Sequence, residues 1–185
     1  MTTCILNTST PARDVASRVR AAPFPDRAWF VPLADAKIDQ RGHDPRSDYV
    51  ELFWLGIIGP SPTWLVRRVV MRFAHDPNGF EVDCAEMAAE LGLAAGKGWA
   101  STFGRAIQRC VMFGIAAPLE HGVVGWSFRR RLPTVAARHI ARLPERIAAM
   151  HADWYQRELV DSVVASDGAS AAASAGAGVS SSAGR

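Results

Sequence analysis

The chain has 185 residues, 49% of them apolar, with 21 basic side chains against 18 acidic ones. That is enough apolar material for one domain with appendages, and a formal charge of +3 excludes neither nucleic acid nor an ordinary soluble role. The N-terminus lacks the apolar core of a secretory signal, and the longest apolar run, Leu52 to Ile58, is far short of a bilayer span. A cytoplasmic protein with no membrane contact is therefore expected.

Residues 1–47 read as an irregular arm. Asp14 to Ala22 has the pattern of a short helix, but Pro23, Pro25, Pro32 and Pro45 punctuate the rest of the arm. A domain is expected over 48–160. Asp48 and Glu51 have capping-box spacing, so Tyr49 to Ile58 is predicted as an apolar helix ended by Gly59-Pro60. Ser61 then reads as an N-cap with Pro62 in the first turn, and Leu65, Val66, Val69, Val70 and Phe73 form an inward stripe. Asp76-Pro77-Asn78-Gly79 is a turn by composition.

Phe80-Glu81-Val82 reads as a short strand. Asp83 and Glu86 predict a second capped helix, packed through Ala85, Met87, Ala88 and Leu91 and stopped by Gly92. After a glycine-containing linker, a basic amphipathic helix runs from about Trp99 to Phe113. It turns Phe103, Ile107, Cys110 and Val111 inward and ends at Gly114. Ile115 to Glu120 and Val123 to Arg131 predict a hairpin, with Pro118 marking the first as an edge strand. Pro144 to Leu159 predicts a C-terminal helix with Ile147, Met150 and Trp154 on one side. The segment 161–185, almost all Ala, Ser and Gly, is expected to be disordered.

The predicted fold class is mainly α with a small β-hairpin: a winged helix-turn-helix with a C-terminal helical extension. In that arrangement the second helix enters the major groove of DNA. Its outward residues would be Ser101, Thr102, Arg105, Gln108 and Arg109. Arg105 and Gln108 have the donors to read guanine and adenine, while Lys97, Ser101, Thr102 and Arg109 suit phosphates, helped by free amides near Gly98. From Lys97 to Arg146 nine bases face two acids, which favours a polyanionic partner. The wing tip, His121-Gly122, carries no base. The triplet Arg129 to Arg131 lies at the far end of the second strand, where alternation sends Arg129 and Arg131 to one face; these two join the DNA-contact set, with Glu145 as a competing partner for part of the triplet. Any amphipathic helix needs a charged solvent face, so the same residues also fit plain solvation. Glu81 and Glu90 remain as surface acids once Asp83 and Glu86 are assigned to caps.

Of the six tryptophans, Trp54, Trp64 and Trp126 are expected in the core, Trp99 could lie exposed, and Trp154 could anchor an interface. Cys4, Cys84 and Cys110 have neither paired nor metal-ligand spacing and read as reduced thiols. The five histidines are scattered, and no catalytic or phosphate-loop motif occurs, so no enzyme, cofactor or metal is expected.

The strings YVELFWLGIIGPSPTWLVRR, AEMAAELGL, FGRAIQRCVMFGIA and FRRRLPTVAARHIARLPERIAAMH resemble winged-helix proteins of unassigned role from high-GC actinobacteria. The resemblance runs from Tyr49 to about Trp154 and implies a winged-helix fold without bringing a ligand or target. Together these readings predict a DNA-binding transcriptional regulator, dimeric through 144–159. The alternative is a non-enzymatic protein-interaction module on the same fold.

Overall fold

The computed structural model describes residues 23–158 apart from His121; the expectations for Cys4, for a helix over 14–22, for the tip residue His121 and for the 161–185 tail lie outside the described residues. A four-stranded sheet organises the first part of the chain. Its order is β2-β1-β4-β3, with β1 at Arg27–Leu33, β2 at Phe80–Asp83, β3 at Ala116–Pro118 and β4 at Gly125–Arg129. β1 runs antiparallel to β2, pairing Phe30 with Phe80, and parallel to β4, pairing Phe30 with Trp126. Ala28 and Phe30 point into the core while Arg27 and Trp29 face outward, the period-two pattern of a half-buried strand.

That strand corrects two expectations. Residues 27–33 are not an irregular arm but an inner strand of the sheet, so the domain does not begin at residue 48. The molecule is mixed α/β rather than mainly α with one hairpin. Gly125 makes the insertion possible. A Cβ there would collide with the Trp29 carbonyl oxygen and approach its amide nitrogen to 2.7 Å, so only glycine lets the two backbones meet. Pro118 does sit on an edge strand, as its missing N–H requires.

Helix α1 (Ala36–Arg41) follows β1, its first turn capped by the Asp35 carboxylate, which accepts from the Ile38 amide at 3.3 Å. A wide turn, Val50–Trp54, in which the Leu55 amide donates to the Val50 carbonyl five residues back, leads into α2 (Leu55–Ile58). Gly59 ends α2 with φ of 85° and opens α3 (Pro60–Phe73). The helix thus begins before Ser61, which is not its cap. Leu65, Val66, Val69 and Phe73 are buried, as their spacing predicts, while Val70, expected with them, is half-buried. Trp64 is not: it stands on the opposite face, 57% exposed.

Loop 130–136 is fastened to the region around α2. The Tyr49 hydroxyl accepts from the Val135 amide at 2.9 Å, and the Trp54 indole N–H donates to the Pro133 carbonyl at 2.8 Å. Compact packing divides the chain into two units between Ala136 and Ala137. In the second unit α6 (Ala137–Ile140) precedes a helix, α7, over 145–158; Ile147, Met150 and Trp154 are half-buried along it.

Candidate nucleic-acid interface

Two consecutive helices and a hairpin carry the predicted contact residues, and local chemistry sets where each begins and ends. The Asp83 carboxylate accepts from the amides of Ala85 and Glu86 at 2.9 and 3.0 Å and starts α4 (Cys84–Glu90). Gly92, at φ of 66°, stops it. The Leu93 amide reaches the Ala88 carbonyl and the Gly92 amide the Ala89 carbonyl, the paired bonds of a Schellman cap. Gly114 ends α5 (Thr102–Met112) with the same pair of bonds, to Cys110 and Val111. Along α5, Phe103, Ala106, Ile107, Cys110 and Val111 are buried, which leaves Arg105, Arg109 and Met112 exposed.

The start of α5 is built differently from its sequence reading. Ser101 is buried and caps the helix: its hydroxyl accepts from the Gly104 amide at 2.9 Å and donates to the Gly98 carbonyl at 2.6 Å. Thr102 ties the helix to the preceding linker, its hydroxyl accepting from the Ala94 amide at 3.0 Å. The amides of Gly98, Ala100, Ser101, Phe103 and Arg105 all donate to backbone carbonyls. Those five amides are thus taken by the protein's own bonds, the Ser101 hydroxyl is buried, and the half-buried Thr102 hydroxyl is bonded to the linker.

The remaining predicted residues separate into available and committed groups. Lys97 and Arg105 are exposed, and their side chains form no hydrogen bond or ion pair with a described residue. Arg105 also lines a shallow cleft of about 410 Å³ between α5 and the Gly59–Pro62 corner. Arg109 lines that cleft too, but its guanidinium donates to the Ile57 carbonyl at 2.8 Å, where a cation satisfies the C-terminus of α2. Gln108 is half-buried, and its amide nitrogen is enclosed without a hydrogen-bond partner among the described residues.

Arg129 and Arg131 go elsewhere. Arg129 bonds the Asp35 carboxylate at 2.6 Å and the Gly114 carbonyl at 2.7 Å. Its hydrogen bond, followed by the Ile38 amide, holds the Asp35 carboxyl below the usual carboxylate range. Arg131 donates to the Gly42 carbonyl at 2.6 Å, and Arg130 to the Pro77 carbonyl at 2.8 Å. All three arginines stitch the end of β4 to α1 and to the turn before β2, and none uses Glu145 in these bonds. The nine-base run in the sequence is thus not one basic face.

Two features escape a reading of the sequence alone. Val123 and Val124 in the β3–β4 connection are 48% and 53% exposed, and the Trp29 amide donates to the Val124 carbonyl, which places the exposed Trp29 next to them. Alternation within RAWFVPL turns Trp29 outward once the segment is recognised as a strand. Trp99 is half-buried, packed edge-on against Phe24 at 4.9 Å and Trp126 at 6.0 Å. Burial pushes the Cys84 and Cys110 thiols up to about 12, so both stay protonated at neutral pH. Among the described residues there is no group of three His, Cys, Asp or Glu side chains placed to hold a metal ion, and no helix long and apolar enough to cross a membrane.

No family model, curated protein or solved structure matched the chain.

Proposed function

We infer that the chain is a winged helix-turn-helix protein that binds double-stranded DNA through α5. On this reading α3, α4 and α5 are its three helices and β3–β4 its wing, enlarged by β1 inserted between β2 and β4. The observation that carries the reading is Arg105. It stands exposed and uncommitted on the outer face of the second of two capped helices, where an arginine can donate two bonds to a guanine edge. Lys97 supplies a phosphate contact from the preceding linker. The DNA-contact set expected from sequence contracts to Lys97 and Arg105, with Arg109 able to join by leaving the Ile57 carbonyl and Gln108 only by turning out of its pocket. The role that fits is transcriptional regulation.

A second reading, a protein-interaction module on the same fold, is favoured by the wing. Val123, Val124 and Trp29 form an apolar surface where a groove-binding wing would carry cations. Titrating the 185-residue chain into labelled duplexes from its own genome at rising salt separates the two. Binding to a few fragments that outlasts the rest supports base readout, whereas uniform loss with salt indicates backbone contacts alone. No binding at low salt would overturn the DNA reading in favour of the module.

A further inference from the structure

The outward face of α3 takes no part in the DNA reading. Trp64, Arg67, Arg68 and Met71 lie at spacings of three, four and seven residues, which aligns them on one side of the helix. Trp64 is 57% and Met71 44% exposed, and with Leu91 they line a mostly apolar groove of about 290 Å³. The Arg67 guanidinium lies 5.2 Å from the Trp64 ring centre and covers part of it. Three ion pairs rim the groove: Arg46–Asp44 at 2.9 Å, Arg67–Glu51 at 3.0 Å and Arg68–Glu90 at 3.4 Å.

We propose that this face is a two-fold interface between copies of the chain. Tryptophan, methionine and arginine are the side chains that interface cores favour. The rim decides the occupant. It carries three guanidiniums and three carboxylates, so a nucleic acid or an acidic peptide would meet the carboxylates and a basic partner the guanidiniums. A two-fold axis lays the surface on itself and sets arginines of one copy against glutamates of the other, the self-complementarity an isologous contact requires. A standard interface needs about 800 Å² per partner, and one tryptophan offers at most about 250 Å². The charged rim must therefore lie inside the footprint. Arg67 is held in place by the Pro45 carbonyl, but the more open Arg68–Glu90 and Arg46–Asp44 pairs are weak, so those side chains can exchange partners across the axis at little cost. The proposal is independent of DNA and differs from the seam over 144–159 expected from sequence.

Sedimentation of the 185-residue chain over rising concentration tests it. The expected species has twice the 20.0 kDa chain mass. Trp64→Glu weakens self-association by about thirty-fold or more, the loss of a hot-spot side chain, while circular dichroism and the melting temperature stay those of the parent because the position is exposed. Arg68→Glu and Glu90→Arg each sediment as monomers alone, and an equimolar mixture recovers the dimer, which an ion pair confined to one chain cannot do. A parent that remains at 20.0 kDa throughout, a Trp64→Glu protein that dimerises like the parent, or a mixture that fails to associate would each overturn it.

Discussion

Arg105 and Arg131 carry the same guanidinium, and both belong to the DNA-contact set expected from sequence, yet the fold uses them in opposite ways. Arg105 stands on the outer face of α5 with no internal partner among the described residues, while Arg131 is half-buried and bonded to the Gly42 carbonyl at 2.6 Å. Arg129 behaves like Arg131, reaching Asp35 and Gly114. Arginines at the end of β4 thus fasten it to α1 and the segment after it, whereas on α5 Arg105 remains available to a ligand and Arg109 is bonded to the Ile57 carbonyl. A charge run in a sequence counts both kinds alike; only the carbonyls and carboxylates brought alongside by the fold distinguish them.

The largest effect should come from the junction on which the fastening depends. Gly125→Ala forces a methyl into the Trp29 backbone, and a loss of about 4 kcal/mol or more is expected, in the range reserved for backbone clashes in a packed site. Denaturant unfolding measures it, and a variant as stable as the parent would contradict the placement of β1 against β4. Next comes Arg131→Met, which leaves the Gly42 carbonyl without its charged donor. It should cost about 2 kcal/mol and leave the DNA affinity of the folded protein unchanged.

Gln108 lies between the two classes. Its amide nitrogen is enclosed without a partner, so Gln108→Met should stabilise the protein by about 1 kcal/mol by removing an unsatisfied donor. If DNA affinity falls at the same time, the glutamine turns out to meet the groove; if it does not, Gln108 belongs with the interior.

Acid should act more gently. The Arg129, Arg46 and Arg27 hydrogen bonds hold Asp35, Asp44 and Glu81 respectively below their ordinary range. A carboxyl lowered in the folded state contributes stability that is complete above its unfolded value and lost as pH falls through the folded one. The melting temperature should therefore decline below about pH 4. The exposed Asp44 and Glu81 pairs with Arg46 and Arg27 should add little, so Asp35→Asn should remove more of the acid sensitivity than Asp44→Asn.

Where the signals are local, the sequence is legible. Asp83, Gly92 and Gly114 mark helix ends through bonds made within a few residues, and the stripe from Leu65 to Phe73 states its own period. β1 is not legible because its partners, β2 and β4, are remote in sequence, and Pro32 within it and Pro23 and Pro25 before it mimic a loop. A parallel pairing to β4 leaves no hairpin signal to read. The start of α5 shows how a small error spreads. Placing it at Trp99 rather than Thr102 turns Ser101 from an N-cap into a surface hydroxyl and converts a structural residue into a DNA contact. The apolarity of Trp64 points to the core, although its helix position sets it on the side of Arg67, Arg68 and Met71.

The central claim is that α5 meets DNA through Arg105 while the arginines after β4 hold the fold. The direct test is Arg105→Ala beside Arg131→Met, each measured for stability and for binding to the fragment the parent prefers. Arg105→Ala should keep the parent's stability to within about 0.5 kcal/mol and lose about 1–3 kcal/mol of binding to that fragment. An Arg105→Ala protein that binds the fragment as tightly as the parent would contradict the account.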